Sequence, residues 1–596
     1  MSRIVGIDLG TTNSLVCVWE DGKSKLIPNA FGEYLTPSVV SVGKKGELFV
    51  GKTAKERLVT DPDNTYEQFK RYMGKEKTYG KYNSEELSSF VLRSLKADAE
   101  KYLGEPIEEA VISVPAYFDD KARKATKNAG ALAGLKVDRI INEPSAAALG
   151  YLKGIDSERM KDGEERIILI FDFGGGTLDI SLVETFDNVV EIVSVSGDNA
   201  LGGMDFDKVI ADYFIREAGL DRDKVSSSDY NIILKASEKA KRDLTDNSAA
   251  RIEVRTDDLY KTVDITNKTL IDISAPVLKK IYKPLQDMLR NSKYSLENIT
   301  DVIMVGGSSK MPIIKHYLEH ILGRDDISVE EPDHMIAIGM GVYAGIKERD
   351  DEVKDIILTD VCPFSMGVNV FNHMNPGKSL SSFLIARNSA LPASHTHIYS
   401  PVSDKQKNIR LNIFQGEEYL AEQNKTLGTI DIKLPPEATA QTAIYVTFSY
   451  DINGILVVDV SVPKFNINLN KVIVDKDIDH SEEFIKQKVR DLNKLKLIDR
   501  NEEEDTQILE WGSRLFAQTS GQARFEIENK LTWYQMSMRR ATDMYNKLRL
   551  RNYIKRYLLF VETSMLKDEV LNFKDNSWQE DEDKLVDEIF GDWEDQ

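Results

Sequence analysis

The sequence predicts a multidomain protein in which an α/β region is followed by an all-β domain and then by helices. Over residues 1 to about 350, short apolar runs alternate with helical patterns. From about 362 to 465, apolar residues recur with period two between turn residues, which predicts a β-sandwich. After His480 the period becomes helical. The predicted segments are 1–352 for the α/β domain, 353–361 for a linker, 362–480 for the sandwich and 481–596 for the helices and an acidic tail.

Local signals support the later segments in turn. The charged stretch 347–355 leads into an apolar trio, which is typical of an interdomain linker. Asn453 and Gly454 separate two alternating runs and tolerate positive φ, so they predict a hairpin turn. Ser481 is suited to cap a helix that begins with two glutamates. The strongly acidic segment 579–596 is predicted to be a disordered tail, with a short amphipathic helix as the alternative.

Bulk composition narrows the function classes. A chain of 596 residues is too long for one core, so three or four domains are expected. The net charge of −20 argues against nucleic-acid binding, which needs a basic face. Cys17 and Cys362 have no metal-ligand spacing and favour a reducing compartment. Because neither a secretory signal nor a membrane-spanning run is recognisable, we expect a cytoplasmic protein that does not enter a membrane.

Two glycine- and threonine-rich turns, 8–14 and 172–179, carry the first functional signal. Each lies between short apolar runs, so each predicts a strand, a tight turn and a second strand. Glycines bring backbone N–H groups close to an anion, and aspartates suit Mg²⁺ held largely through water. Further glycine pairs follow at 202–203 and 306–307. The turns therefore predict a nucleotide held between two lobes.

The order of these motifs resembles the ATPase fold shared by actin, the sugar kinases and the 70-kDa heat-shock chaperones of the DnaK type. Asn-Glu-Pro-Ser-Ala-Ala-Ala at 142–148 and Val-Pro-Ala-Tyr-Phe at 114–118 are similar to the chaperones, as are 414–417 and 424–428. Segments 27–37 and 358–365 look most like the HscC branch. The resemblance implies a two-lobed actin-like ATPase domain, a β-sandwich peptide-binding domain and an α-helical lid.

The resemblance assigns the hydrolytic roles residue by residue. Lys70 would place a cation beside the γ-phosphate, and Glu143 would orient the attacking water. Without it, Lys70 would be read as a surface lysine, and Glu143 before proline as the end of a helix. Mg²⁺ would be placed, mainly through water, by Asp8, Asp172 and Asp179. The phosphates would be cradled by Gly10, Thr11, Thr12, Asn13, Gly174, Gly175, Gly176, Thr177, Gly202 and Gly203.

An adenosine site is implied further along the chain. Four polar residues at helical spacing share one face, which in isolation is typical of a solvated helix. The implied contacts are Glu238, Lys241, Arg242, Thr245, Gly306, Gly307, Ser308, Lys310 and Asp333. Three departures stand out. Lys310 replaces the usual arginine and lacks its planar stacking surface, Met204 stands where the family commonly has glutamate, and the chain is short between Lys70 and Pro115.

The implied function is that of an ATP-dependent chaperone with roles in protein folding and the stress response. Its cofactors would be ATP or ADP with Mg²⁺, and the resemblance allows K⁺ as well. Its partners would be extended polypeptides and a J-domain cochaperone, with the exchange factor left open and a monomeric chain expected. Pro115 and Arg123 would relay the nucleotide state, and Arg139 would contact the J domain.

Two of these assignments have structural alternatives. Ile356, Ile357 and Leu358 would dock on the ATPase domain in one nucleotide state, or they could form a buried strand between permanently packed domains. An apolar peptide groove would include Leu411, Ile413, Ile444 and Val446, although such alternating residues are more often plain sandwich core. For the whole chain, the rival functions are a small-molecule kinase on the same fold and a nucleotide-gated binding protein that does not hydrolyse ATP.

Overall fold

A computed structural model describes residues 3–155, 164–255, 260–329, 331–375, 377–404, 406–452, 454–473, 481–500, 502–519 and 521–566. The predicted acidic tail, Asn453 of the predicted hairpin turn and the predicted boundary at residue 480 lie outside these ranges. No helix in the described ranges is long and apolar enough to cross a membrane.

The first part of the chain folds into two lobes, each with its own strands and helices. The strands of the first lobe are β1 Ile4–Asp8, β2 Asn13–Glu20, β3 Lys23–Leu26, β4 Thr36–Pro37, β5 Val40–Val42, β6 Glu47–Val50, β7 Thr65–Tyr66, β8 Thr78–Tyr79, β9 Tyr82–Asn83, β10 Glu109–Val114 and β11 Ile140–Asn142. Its helices are α1 Lys52–Thr60, α2 Ser84–Leu103, α3 Asp120–Leu132 and α4 Glu143–Leu149.

The second lobe follows the same plan with longer helices. Its strands are β12 Arg166–Phe173, β13 Leu178–Phe186, β14 Val189–Asp198, β15 Ala249–Arg255, β16 Tyr260–Thr266, β17 Asp301–Val305 and β18 Ile327–Ser328. Its helices are α5 Gly203–Glu217, α6 Ser227–Asp246, α7 Asn267–Arg290 and α8 Pro312–Leu322. The next helix in the chain, α9 Met335–Glu348, packs back on β1, β2, β3 and β10 of the first lobe.

The central sheets of the two lobes have the same topology. The first sheet has the order β11-β10-β1-β2-β3, and the second has the order β18-β17-β12-β13-β14 followed by one more strand. In each, three consecutive strands pair antiparallel and two later strands add in parallel. The two glycine-rich turns join β1 to β2 and β12 to β13. They therefore occupy equivalent positions in the two lobes, as their similar sequences predicted.

Small residues let the lobes pack closely. A Cβ added to Gly339 of α9 would lie 1.7 Å from the carbonyl oxygen of Ala146 in α4, and one on Gly6 would lie 2.5 Å from the backbone of Met340. The apolar core at this junction joins buried residues of both sheets to α4 and α9. The two turns consequently face each other across a cleft between closely packed lobes.

The β-domain is a sandwich of two four-stranded sheets. Its strands are β20 Met366–Phe371, β21 Ser379–Ile385, β22 Ala393–Tyr399, β23 Asn408–Gln415, β24 Lys425–Lys433, β25 Ile444–Tyr450, β26 Leu456–Val462 and β27 Ile467–Ile473, preceded by β19 Ile357–Thr359. The sheets have the orders β21-β20-β23-β24 and β22-β25-β26-β27. The predicted hairpin pairs β25 with β26, and Gly454 in its turn has φ +81°.

One prediction for this domain is wrong. Leu411, Ile413, Ile444 and Val446 are all buried in the apolar core between the two sheets, so they do not line a peptide groove. The physical reason is the alternation itself, because the inward-facing residues of two stacked sheets pack against each other. The alternative interpretation, plain sandwich core, is the one that the structure bears out.

The linker is seated on the second lobe. β19 pairs in parallel with β14, and the Ile357 N–H donates to the carbonyl oxygen of Asn188 at 2.8 Å. Ile356 is buried and Leu358 is half-buried in the core between the lobes, whereas Ile357 is 58% exposed. Two of the three predicted apolar residues therefore dock, and the third faces outward.

The C-terminal helices pack on the first lobe and not, as predicted, as a lid over the β-domain. They are α10 Glu482–Leu492, α11 Glu503–Gln518, α12 Gly521–Arg540 and α13 Met544–Leu566, with the short strand β28 Lys496–Leu497 after α10. α10 packs on α3 and α11 on α1, and β28 adds in parallel to β6. The buried side chain of Leu492 joins the core of the first lobe. α10 and α11 thus cover the first lobe, whereas α12 and α13 pack with α11 around a separate apolar core.

Ion pairs fix this arrangement. Arg57 of α1 is 2.7 Å from Glu510 of α11, and Arg514 pairs with Glu56 of α1. Arg500, which precedes α11, lies 3.2 Å from the buried Asp98 carboxylate of α2. Because these pairs are largely shielded from water, breaking one of them costs more than breaking a surface pair.

The β-domain also rests on the ATPase-like lobes. The Tyr450 hydroxyl donates to Asp120 at 2.5 Å, and Lys425 pairs with Asp119. On the second lobe, Arg387 donates to the carbonyl oxygen of Val195 at 2.5 Å. The β-domain and the C-terminal helices are therefore both docked on the two lobes.

Candidate functional site

A cavity of about 710 Å³ lies in the cleft between the two lobes. It brings together most of the residues that the sequence nominated. Those that line it are Asp8, Gly10, Thr11, Thr12, Asn13, Lys70, Glu143, Asp172, Gly174, Gly175, Thr177, Glu238, Lys241, Arg242, Thr245, Gly306, Gly307, Ser308, Lys310 and Asp333. Four further nominated residues are not among those that line it: Gly176, Gly202, Gly203 and Asp179.

The first turn is shaped by its own short side chains. Gly10 donates its N–H to Ser14 Oγ at 3.1 Å, and its carbonyl oxygen accepts from Ser38 Oγ at 2.7 Å. A Cβ on Gly10 would lie 2.0 Å from the carbonyl oxygen of Asn13, so only glycine fits there. Thr12 Oγ1 is buried without a hydrogen-bond partner in the described structure. It is therefore available to a bound group.

The second turn is braced from behind by the glycine pair 202–203. The Gly203 N–H donates to the carbonyl oxygen of Gly174 at 3.0 Å, and the Met204 N–H donates to that of Gly175 at 2.9 Å. A Cβ on Gly202 would lie 2.5 Å from the backbone nitrogen of Gly176. Gly176, Gly202 and Gly203 thus act as the support of the turn.

The close approach of the two turns gives a sharp test. A Cβ on Gly175 would lie 1.9 Å from Thr12 Oγ1, whereas one on Gly174 would come no nearer than 3.7 Å to another residue. We expect Gly175→Ala to weaken ATP binding about tenfold or more, since the methyl group displaces the Thr12 hydroxyl, which must rotate away from the site or push the turns apart. Gly174→Ala is the matched control and should stay within about threefold of wild type. Calorimetric titration with ATP measures both, and equal affinities in the two variants would contradict the geometry.

Lys70 and Glu143 form a buried ion pair at the base of the cavity. Lys70 Nζ lies 2.6 Å from Glu143 Oε1, and both side chains are almost fully buried. Lys70 lies in a tight turn, 69–72, of the first lobe, and Glu143 begins α4. The two residues are 73 positions apart in sequence, and the fold brings them together.

Three aspartates surround this pair and are unfavourably crowded. Burial and the nearby Glu143 raise the pKa of Asp8 to about 6 and that of Asp179 to about 7. Burial and the same glutamate also raise the pKa of Asp172. Lys70 opposes the rise in pKa at all three aspartates. A hydrogen bond from Ser113 Oγ also opposes it at Asp8, and one from the Tyr117 N–H opposes it at Asp179.

This donor set suits a divalent cation. Four carboxylates face one lysine, and Asp179 Oδ2 is buried without a hydrogen-bond partner in the described structure. A hard cation prefers oxygen ligands and would favour the ionised carboxylates. No three His, Cys, Asp or Glu side chains in the described ranges converge closely enough to ligate a metal directly. The predicted residues therefore fit Mg²⁺ that is held mainly through water.

The far end of the cavity carries the predicted adenosine contacts. Gly306 has φ +83° and begins a turn after β17, and a Cβ on Gly307 would lie 2.8 Å from Asp333 Oδ1. The predicted row on α6 lines the same end, where Arg242 also forms an ion pair with Glu238 at 2.7 Å. Lys310 pairs with Asp333 at 2.5 Å. The lysine that replaces the family arginine is thus tied to a neighbouring predicted contact.

Sequence reasoning missed residues that connect the two lobes. Lys55 of α1 reaches Glu238 of α6 at 3.7 Å across the mouth of the cavity. Lys235 also lines the cavity, and burial lowers its pKa to about 8. Arg71 lies next to Lys70 and bonds to the second lobe. None of the three belongs to a glycine motif, and only the adjacency of Arg71 to Lys70 could have drawn attention to it.

The predicted relay residues connect the cavity to the β-domain. The Arg123 guanidinium donates to the carbonyl oxygens of Ala116 and Phe118 at 3.0 Å, and to Asn142 Oδ1 at 2.6 Å. Asn142 precedes Glu143, and the Phe118 N–H donates to the carbonyl oxygen of Pro115. A Cβ on Gly454 of the β-domain would lie 3.2 Å from Arg123 Cδ. Arg123 therefore lies between both regions.

Arg139 has a different environment. Its guanidinium lies over the ring of Tyr343 in α9, 5.3 Å from the ring centre. Its Nε is buried without a hydrogen-bond partner in the described structure. The residue lies just before β11, which leads into Glu143.

A family comparison agrees with this architecture. The model of the Hsp70 protein family matches residues 4–80 and 75–551. The matched residues include both glycine turns, Lys70, Glu143, the linker and the sandwich, together with most of the helical region. The chain belongs to the Hsp70 protein family.

Proposed function

We propose that this chain hydrolyses ATP in the cleft and uses the nucleotide state to control binding of extended polypeptides. Proteins of the Hsp70 family are ATPases with a chaperone role, which supports both activities in general terms. The observation that carries the specific proposal is the buried Lys70–Glu143 pair between two glycine turns. A pair at this position can orient water and neutralise charge beside a terminal phosphate.

The residues have distinct roles in this proposal. Backbone N–H groups and hydroxyls of turns 8–14 and 172–179 bind the phosphates, and Lys70 lies beside the γ-phosphate. Glu143 accepts a hydrogen bond from the attacking water and orients it. Asp8, Asp172 and Asp179 would hold Mg²⁺ mainly through water, and the ion would supply positive charge to neutralise the phosphates. The far end of the cavity holds adenosine, and Lys310 contacts it as a point charge without arginine stacking.

Coupling to the rest of the chain is supported by the docked linker. Ile356 and Leu358 are held by the lobes, and β19 extends the sheet that carries the second glycine turn. Arg123 contacts both Asn142, the residue before Glu143, and the β-domain. Because β14 shares a sheet with the second glycine turn and Arg123 bonds to Asn142 beside Glu143, a change in cleft closure can release the linker and both docked regions.

The peptide contacts need reassignment, since the predicted four are core residues. Phe371, Met374 and Tyr419 are exposed large side chains at one end of the β21-β20-β23-β24 sheet. The Ser381 N–H donates to the carbonyl oxygen of Tyr419, and Ser379 donates to Glu422, so the two loops are neighbours. We infer that these loops hold an extended apolar segment by main-chain hydrogen bonds and side-chain contacts.

This reassignment can be tested by binding. Phe371→Ser with Tyr419→Ser should weaken binding of an apolar decapeptide about tenfold or more, because burial of both aromatic side chains is lost. Tyr102→Ser removes a similarly exposed tyrosine from α2 and serves as the control. Fluorescence anisotropy of the labelled peptide in ADP measures both variants. Unaltered affinity in the double variant would refute this location.

The proposal extends to the family branch, the compartment and the partners of the chain. We infer a DnaK-type chaperone of the HscC-like branch that works in the cytoplasm as a monomer. A J-domain partner would contact Arg139 and the adjoining surface, while the trimmed segment between Lys70 and Pro115 leaves the exchange factor open. The domain limits 1–352, 353–361, 362–480 and 481–596 are retained as part of this proposal.

Unfolded polypeptide separates the chaperone from its rivals. Steady-state ATP hydrolysis should rise severalfold when a reduced, alkylated and permanently unfolded polypeptide is added. A small-molecule kinase would instead phosphorylate a metabolite and ignore the polypeptide. A binding protein without hydrolysis would release no phosphate in either condition. Phosphate release that is insensitive to unfolded polypeptide would contradict the proposed function.

A further inference from the structure

Arg71 crosses the cleft from the first lobe to the second. It lies in the turn 69–72, and its side chain is only 10% exposed. Its Nε donates to the carbonyl oxygen of Gly176 at 2.8 Å, and Nη2 donates to Asp205 Oδ2 at 3.2 Å. A planar guanidinium can make both bonds at once, which a lysine ammonium cannot do in the same geometry.

Both acceptors belong to the support of the second phosphate turn. Gly176 is the last glycine of that turn. Asp205 Oδ2 also accepts from the Gly202 N–H at 2.9 Å, next to Gly203, whose N–H donates to the carbonyl oxygen of Gly174. Arg71 is therefore bonded directly to the turn and, through Asp205, to the glycine pair that braces the turn.

The position of Arg71 ties these contacts to Lys70. The two residues are consecutive, and the turn that carries them begins after Gln68, a non-glycine residue with φ +59°. Few non-glycine residues adopt this left-handed conformation, because the Cβ crowds the carbonyl oxygen. Such a turn needs contacts that hold it in place, and the two bonds from Arg71 to the second lobe provide them.

The side chain at position 204 does not compete for the guanidinium of Arg71. Met204 is apolar, and its Cε would lie 3.1 Å from a Cβ on Gly176, so its side chain packs beside the same carbonyl. Asp205 is the only carboxylate that forms an ion pair with Arg71 among the described residues. A guanidinium with one carboxylate and one carbonyl acceptor depends on both lobes being together.

We propose that Arg71 is a positioning residue that couples closure of the cleft to placement of Lys70. When the lobes close, Arg71 bonds to Gly176 and Asp205, and the turn 69–72 holds Lys70 against Glu143 and the γ-phosphate. When they open, both bonds break and Lys70 loses this support. The inference rests on the proposed ATPase function, since it concerns the placement of its lysine.

Single-turnover hydrolysis and ATP affinity separate this role from a structural one. Arg71→Ala should slow hydrolysis about 10- to 100-fold, because two bonds of a charged donor to a buried site are lost, while the ATP Kd changes less than about threefold. Arg71→Lys keeps one bond and should be intermediate. Arg216→Ala is the control, because Arg216 is an exposed residue on the helix that carries Asp205.

A double-mutant cycle with Asp205→Asn completes the test. If Arg71 acts through Asp205, the effects of the two substitutions should not multiply. The double variant should then hydrolyse ATP at least about threefold faster than the product of the two single effects predicts. Wild-type hydrolysis in both Arg71→Ala and Arg71→Lys, or fully multiplicative effects in the cycle, would overturn the inference. If Lys70→Ala also hydrolyses normally, the proposed function fails as well. If only the Arg71 variants are normal, the function stands and this inference alone fails.

Discussion

Lys70→Ala should reduce single-turnover ATP hydrolysis by about 100-fold or more while ATP still binds within about threefold of wild type. The ammonium lies 2.6 Å from Glu143 in a buried site, where a charge stabilises a developing phosphate charge more strongly than in water. Its loss therefore affects the transition state more than the bound nucleotide. Rapid mixing with labelled ATP, with a calorimetric titration in parallel, measures the two quantities.

A matched control separates this effect from a general loss of charge. Lys224→Ala removes a lysine whose side chain is 84% exposed on the second lobe and lies outside the cavity lining. Its hydrolysis should equal that of wild type. Normal turnover in Lys70→Ala would remove Lys70 from the mechanism, and loss of ATP binding would reassign it to substrate affinity.

The second large effect concerns the linker. Ile356→Asp combined with Leu358→Asp should release β19 from β14, because each carboxylate would have to enter the apolar junction between the lobes. Burial of an unpaired charge there costs several kcal/mol, about the stability of a docked segment. We expect peptide release from this variant to become independent of ATP. Stopped-flow fluorescence of a labelled peptide measures the release.

The structure supplies an internal control at the middle position of the same trio. Ile357 is 58% exposed although it lies between the two docked side chains. Ile357→Asp should therefore keep at least most of the acceleration of release by ATP. Equal uncoupling by Ile357→Asp and by the Ile356/Leu358 pair would show that the outward face, and not the buried one, carries the coupling.

The nucleotide cleft was predictable because its signals are local. Each glycine turn is a short segment whose backbone requirement is set by its own sequence, as the Cβ clash of Gly10 with the carbonyl oxygen of Asn13 shows. The duplicated turns also indicated two equivalent lobes, and the two sheets share their strand order. The Lys70–Glu143 pair depended on the family resemblance, because 73 positions separate the two residues.

Contacts between regions were not predictable in the same way. Alternation in Ile444 and Val446 shows that one face is buried, but not whether another sheet or a peptide covers it. The amphipathic helices after Ser481 likewise require a partner surface, and they could equally cover the β-domain or the first lobe. Arg71 and Lys55 have no motif, so their bridges across the cleft emerge only from the packed structure.

The most direct test of the coupling between hydrolysis site and peptide site is the rate of peptide release from the wild-type chain. A labelled apolar peptide is first bound in ADP and then mixed with excess unlabelled peptide, with either ADP or ATP and Mg²⁺ present. We expect ATP to accelerate release about tenfold or more, because the closed cleft docks the linker and the β-domain. Identical release rates in ATP and ADP would contradict nucleotide control of polypeptide binding.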